Sequence, residues 1–384
     1  MRLTPLVQRF APVTLLGVFL SVAGCTSSPP PAPPPPATAE ADARATISES
    51  DSSATSAAAA FAAERVWGEG TAMGTHLGFA AYTNPNVDAA KAKELFQKAI
   101  DEIKRIEFVM TTWRPDSELS RVNAAAGKGA VEVSDETLRV VKEAIHTSEI
   151  SEGTFDITFE SLHGLWKFDQ DLDPHPPKAD ELKKKLPLVN FHHIKIDDAK
   201  KTIALDKEGV KISLGGIAKG YAVDKAAAVL EAGGLQSFYV QAGGDLYARG
   251  KKPDGADWSA GIRDPRSAKG AYFAVLPLSD HAFSTAGDYE RSYIVDGKRY
   301  HHIIDPRTGY PATACRSVTI WAKSALIADS IDDAVFILGP AKGMKLVESL
   351  DDVGAVIVDK DNNVHISKRL QGKLSIVAAP TEGI

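Results

Sequence analysis

Cysteine is almost absent from this chain: its 384 residues hold two, Cys25 and Cys315. So small a supply excludes a disulfide framework and cysteine-built zinc or iron–sulfur sites. Charge of one sign is not concentrated anywhere. Lys and Arg number 44 against 50 Asp and Glu, with no basic block of the kind that binds nucleic acid. Internal repeats are missing, and beyond residue 24 no segment is apolar enough to span a bilayer. Strict alternation of strand and helix signals is missing too. That argues against a doubly wound βαβ fold and for an α+β domain.

What is present begins at the N-terminus. Arg2 and Arg9 flank the start of an apolar run over residues 10–23, FAPVTLLGVFLSVA. It is too short for a permanent span and has the length of a signal-peptide core. The run ends in Val22-Ala23-Gly24-Cys25. Small residues directly before a cysteine resemble the bacterial lipoprotein processing box, which implies cleavage after residue 24 and a lipid on Cys25. Two or more acyl chains make a stable anchor. Without Arg2 and Arg9 the 44 basic residues fall to 42 against 50 acidic, a net charge of −8. Residues 26–60 are rich in Pro, Ala, Ser and Thr and include PPPAPPPPA at 29–37. Such a composition cannot bury enough apolar surface to fold, and its proline run is extended and stiff. The expected organisation is a signal peptide over 1–24, a lipidated Cys25 with a disordered stalk over 25–62, and a single mixed α/β domain over 63–384.

Periodicity and turn chemistry place the elements of that domain. Residues 65–82 read as two strands about a turn-like 68–74 region. Residues 88–106 form an amphipathic helix with Ala92, Leu95, Phe96, Ile100, Ile103 and Ile106 on one face. A second helix over 134–151 opens with the capping pattern Ser134-Asp135-Glu136-Thr137. Residues 170–190 read as a surface loop with a short helix. Strands are expected at 193–197, 202–206, 210–213, 237–241 and 271–278, and as a hairpin about Asp296-Gly297 within 289–304. One helix runs from Gly215-Gly216 to about residue 232, and another over 325–338 stops at Gly339-Pro340. A hairpin (353–358 and 363–366) and a strand near 373–378 finish the chain.

Four places can carry chemistry. Asp329, Asp332 and Asp333 stand at i, i+3 and i+4 of a helix, so their carboxylates share one face. That face is either a solvated acidic surface or a set of hard oxygen ligands suited to Mg²⁺ or Ca²⁺. Leu214-Gly215-Gly216-Ile217-Ala218-Lys219-Gly220 opens a helix. Its glycines either pack a tight turn or let a phosphate approach the helix N-terminus beside the Lys219 cation. Tyr300-His301-His302-Ile303-Ile304-Asp305 lies on the expected hairpin. Alternation puts His302 with Tyr300 and Ile304, and His301 on the other face. His302 is either a structural edge histidine or a general base. Trp113 and Phe155, in TTWRPDS (111–117) and GTFD (153–156), are either core aromatics or platforms for a planar ring.

In their order along the chain these segments closely resemble the ApbE-like family of FAD:protein FMN transferases. The similar blocks are AMGTHL (72–77), TTWRPDSELSRVN (111–123), SEGTFDITFESLHGLW (151–166), SLGGIAKGYAVDKAAAVL (213–230), VQAGGDLYARG (240–250), STAGDYERSYIVDGKRYHHIIDPRTGYPA (284–312) and ADSIDDAVFILGP (328–340). The resemblance implies an enzyme that binds FAD with Mg²⁺, cleaves its pyrophosphate, passes FMN to a Thr or Ser hydroxyl of a target protein and releases AMP. It implies that Met73, Trp113, Thr154, Phe155, Asp156, Ser213, Lys219 and Ile304 line the FAD site. Gly216, through its carbonyl, would join Asp329, Asp332 and Asp333 at the metal, and His302 would deprotonate the acceptor. Three positions depart from the family pattern. Asp333 stands where threonine is usual, Ser213 where aspartate is common, and Ala286 in place of a serine. An FAD pyrophosphatase and a non-catalytic flavin-binding lipoprotein are the alternatives. The expected partners are FAD, exported or membrane-associated acceptor proteins and a membrane, and the expected place is the cell envelope, facing the periplasm, on the inner or outer membrane.

Overall fold

Side chains along a strand point alternately to opposite faces of its sheet, and here both faces of one large sheet are covered. The computed structural model describes residues 61–168, 172–267 and 270–383. Cys25, the apolar run before it and the Pro-rich segment lie outside the described residues. Eight antiparallel strands lie side by side in the order Arg65–Ala72, Thr75–Tyr82, Phe238–Ala242, Asp245–Arg249, His281–Gly287, Cys315–Ala322, Gly354–Asp359 and Val364–Ile366. Val318, Ile320 and Ala322 enter a core shared with the helices. Phe283, Trp321, Val356 and Val358 enter a second core against a small sheet made of Trp258–Arg263, Tyr272–Leu278 and Ser375–Ile376. Cys315–Ala322 and Gly354–Asp359 are therefore buried along their whole length. The fold is α+β, as the lack of strand–helix alternation implied.

Three helices cover the first face: Ala89–Met110, Ala218–Ala232 and Ala325–Ser349. Small residues set how closely they lie. A Cβ on Gly68 would meet the Phe96 ring at 2.5 Å, and one on Gly70 would meet Ile100 at 2.9 Å. Both glycines therefore sit inside the first strand, as seats for the first helix. The expected 68–74 turn shrinks to Met73-Gly74, both left-handed (φ 52° and 68°).

Other expectations shift for physical reasons. Residues 210–213 alternate as a strand would, with Val210 and Ile212 buried, but they pair with no strand. Their backbone is satisfied by side chains and a turn instead. Lys211 N–H donates to Ser161 Oγ (3.0 Å), Ile212 N–H to Asn123 Oδ1 (2.7 Å) and Ser213 N–H to the Ile157 carbonyl (3.0 Å). Gly339 (φ 79°) kinks the last long helix, yet helical structure resumes and runs to Ser349. Proline is tolerated in the first turn of a helix, which is where Pro340 falls. Strands at Asp245–Arg249, Trp258–Arg263, His281–Gly287 and Cys315–Ala322 were not anticipated. Cys315–Ala322 shows why: buried on both faces, it carries no polar alternation to read.

The helix that bears the three aspartates is fixed at its start by another helix. Asp224 accepts hydrogen bonds from Ser324 Oγ (2.6 Å), Ala325 N–H (2.8 Å) and Leu326 N–H (3.0 Å). The two N–H groups are first-turn donors that the helix itself cannot satisfy. Asp224→Ala is expected to cost roughly 2–4 kcal/mol, the sum of a lost cap and lost buried charged hydrogen bonds. Urea unfolding read by circular dichroism checks it.

Candidate active site

The lysine and aspartate helices meet at a glycine. A Cβ on Gly220 would lie 2.1 Å from the Ala325 carbonyl oxygen, so only glycine permits this approach. The contact lets Gly220 N–H donate to Asp329 Oδ2 at 2.8 Å. Asp329 thereby satisfies a first-turn donor of the Ala218–Ala232 helix, whose own cap position, Ile217, has no side-chain hydrogen bond. One residue earlier, Lys219 Nζ lies 3.1 Å from Asp329 Oδ1 and 2.6 Å from Asp245 Oδ2.

Sheet register supplies the rest. Leu246 pairs with Phe283, which puts Asp245 beside Ser284. Ser284 Oγ hydrogen-bonds to Asp245 Oδ1 and Asp332 Oδ2, the latter at 2.6 Å. A hydroxyl has one proton, so it can donate to only one of the two carboxylates. Asp245, Asp329 and Asp332 are all buried, and one oxygen of each lies within 4.8 Å of the others. Asp333 is partly exposed; its Oδ2 is 3.2 Å from the Cβ position on Gly216, with the Phe155 ring 3.3 Å from the same point. Thr154 Oγ1 donates to the Ala334 carbonyl at 3.1 Å.

Four carboxylates thus face one lysine. Burial alone would lower the Lys219 pKa, but Asp245 and Asp329 outweigh it and hold the ammonium charged. The carboxyls move the other way. Burial, then the Asp245 charge, raises Asp329 to about 6; burial, then Asp329, raises Asp333 to about 7; burial and both helix neighbours push Asp332 up as well. An excess of buried negative charge, hard oxygen donors and one hydroxyl proton shared between two carboxylates fit a divalent cation such as Mg²⁺.

The two adjacent histidines divide their roles. His301 is buried; its Nε2 meets the Ala312 carbonyl at 2.7 Å, its Nδ1 accepts from Ile303 N–H at 3.3 Å, and its ring packs edge-on to Phe336. Both nitrogens are engaged, so His301 is structural. The strand Lys298–His301 ends before His302, so the expected alternation out to Ile304 does not hold. His302 N–H donates to the Arg291 carbonyl at 3.1 Å, while its buried Nδ1 has no hydrogen-bond partner. Burial, then His301 and Arg291, lowers its pKa to about 3, and Lys219 contributes in the same direction. The ring is neutral at physiological pH.

The remaining residues singled out in the sequence are dispersed. Met73 occupies the first hairpin turn, and the neighbouring Gly243 contacts Thr75 of that hairpin. Asp156 is turned inward, accepting from Thr158 N–H (2.8 Å), Thr158 Oγ1 (2.6 Å) and Phe191 N–H (2.8 Å). Ser213 Oγ accepts from Gly215 N–H at 3.3 Å and shapes the turn. Ile304 pairs with Pro311 in a two-residue strand. Trp113, 82 % exposed, stands beside a separate cavity. Asp245 and Ser284 were not among the anticipated site residues. The available signal was a glycine pair directly before an acid, Gly243-Gly244-Asp245, just past the expected strand at 237–241.

Residues 73–357 match the sequence profile of the ApbE family. The chain is 33 % identical over 303 residues to the FAD:protein FMN transferase of Vibrio cholerae serotype O1, covering 78 % of this chain and 89 % of that one. Its structure is similar to the ApbE protein of Thermotoga maritima (TM-score 0.73, 30 % identity, 81 % of this chain and 99 % of that one). It is also similar to the flavin transferase ApbE of Vibrio cholerae (TM-score 0.72, 30 % identity, 81 % and 100 %).

The raised carboxyls link folding to protons. A carboxyl whose folded pKa exceeds its unfolded value stabilises the fold at low pH and loses that contribution as pH rises through the folded value. For Asp329 near 6 and Asp333 near 7, the loss runs from about pH 4 to pH 7. In chelator-treated buffer the wild-type melting temperature is expected to fall across that window relative to Asp333→Asn, whose profile is flatter. Parallel profiles would contradict the shift.

Proposed function

Because this chain belongs to the ApbE family and is an FAD:protein FMN transferase, we propose that it uses Mg²⁺ to move FMN from FAD onto a Thr or Ser hydroxyl of exported proteins, releasing AMP. The observation that carries the reading is the buried carboxylate cluster around Lys219. A cluster so short of positive charge suits a cation, and phosphoryl transfer needs positive charge against the pyrophosphate. Asp329, Asp332, Asp333 and the Gly216 carbonyl would hold the ion, with Asp245 beside them. Bound there, it offsets the charge of the phosphates.

The chain's own residues do the rest. Lys219 supplies a fixed cation at the opening of the Ala218–Ala232 helix, whose N-terminal dipole also favours a phosphate. Met73, Trp113, Thr154, Phe155, Asp156, Ser213 and Ile304 complete the FAD site. The acceptor hydroxyl oxygen bonds to the flavin-side phosphorus, and the bond from that phosphorus to the bridging oxygen breaks. AMP leaves with that oxygen. His302, neutral before substrate arrives, receives the hydroxyl proton. Phosphate charge near Lys219 and Arg291 opposes the lowering of its pKa and brings it toward the range where a general base works best.

The sequence around Cys25 supports a lipid anchor facing the periplasm, on the inner or outer membrane. An anchor confines the enzyme near membrane-associated acceptors and raises its effective concentration there.

Soluble protein beginning near residue 60, with FAD, Mg²⁺ and an acceptor domain, is expected to give a flavin-fluorescent acceptor band on a denaturing gel. Asp329→Ala is expected to abolish AMP release, and His302→Ala to slow transfer by about 10²-fold or more. FMN and AMP forming with no labelled acceptor would mean a pyrophosphatase instead. Cys25→Ser is expected to move the full-length protein from the membrane pellet to the soluble envelope fraction. Retention in the pellet would rule out lipid anchoring through Cys25.

A further inference from the structure

A cavity of about 330 Å³ opens beside Trp113, lined also by Thr112, Asn123, Glu160, His163 and Lys211. That volume suits one fused-ring system and is small for a whole dinucleotide. Trp113 is 82 % exposed and meets His163 edge-on, with ring centroids 6.2 Å apart. So exposed an indole offers an aromatic face to a flat ligand. Glu160 is the unusual member of the wall. It sits on the short helical turn Ile157–Leu162, its side chain is only 13 % exposed, and its Oε1 lies 3.2 Å from His163 Nδ1. Burial raises its carboxyl pKa, opposed by His163, Lys211 and Lys185. A largely desolvated acceptor beside a bare aromatic face is suited to read the N–H edge of a heteroaromatic ring.

The cavity is tied to the carboxylate site through the main chain. Asn123 Oδ1 accepts from Ile212 N–H (2.7 Å), and its Nδ2 donates to the Ile212 carbonyl (2.9 Å). Ser161, next to Glu160, accepts from Lys211 N–H at 3.0 Å. Five residues beyond Lys211 stands Gly216, against Asp333. Five residues extend at most about 18 Å, within reach of a single extended dinucleotide.

With Trp113 at the FAD site as above, we propose that the Glu160 carboxylate beside it accepts from an N–H on the edge of the ring seated there, and that His163 holds that carboxylate in place. The inference rests on the flavin-transferase reading and adds Glu160 and His163 as residues that select the ring. FAD offers two such edges, the imide N–H of its isoalloxazine and the amine of its adenine.

Flavin fluorescence quenching on the wild-type protein measures binding of FAD and of two analogues. One is methylated at the flavin imide nitrogen; the other carries unsubstituted purine in place of adenine. One analogue is expected to bind about tenfold more weakly than FAD, and Glu160→Ala to weaken FAD by about the same factor. That analogue's penalty disappears in Glu160→Ala, and Glu160→Gln restores most of the affinity. Unchanged FAD affinity in Glu160→Ala, or both analogues binding wild type as FAD does, overturns the proposal. The wild-type comparison decides it even where Glu160→Ala fails to fold. FAD binding without FMN transfer would overturn the transferase reading alone, since the analogues still report on the cavity.

Discussion

Lys219 held between Asp245 and Asp329 is the interaction around which the rest of this structure is arranged. An ammonium and several carboxylates taken out of water are stable only if they satisfy one another, and removing one partner of such a buried set costs about 3–5 kcal/mol. Each nearby element serves that balance. Gly220 removes the atom that would keep two helices apart. Asp224 fixes the start of the aspartate helix. Strand register brings Ser284 between Asp245 and Asp332.

The balance is incomplete. One lysine among four carboxylates leaves negative charge, which protons take up when no cation is present. An isolated acidic helix face would be solvated and would hold a cation weakly. Here Asp329 and Asp332 are 3 % and 4 % exposed, so water screens their charges little. The same burial acts oppositely on His302, where it removes a positive charge rather than adding one. One desolvated region therefore disfavours the charged form of histidine and carboxyl alike.

Much of this was legible along the chain, and the limits of that reading are physical. The first helix, with its cap at Asp88, and the hairpin about Asp296-Gly297 follow from local periodicity and turn chemistry. The i, i+3, i+4 aspartates, the glycine turn before Lys219 and the adjacent histidines are visible as patterns, and their order along the chain carries the family. Cys315–Ala322 was not legible because a strand buried on both faces loses its polar alternation. Residues 210–213 misled because alternation reports burial and does not say whether a backbone pairs with a strand or with side chains such as Asn123 and Ser161.

Sequence alone determined which residue types were on hand and the family they mark, because local spacing and block order need no third dimension. Only the tertiary structure decided that Asp245 and Ser284 join the aspartate helix, since that depends on strand register. It also decided that both ring nitrogens of His301 are engaged while Nδ1 of His302 has no hydrogen-bond partner, since the two differ only in what surrounds them. For Asp329 the spacing left both a solvated face and a ligand set open, the solvated face being the commoner case. Burial removes the solvated face, because the packing at Gly220 takes Asp329 out of water.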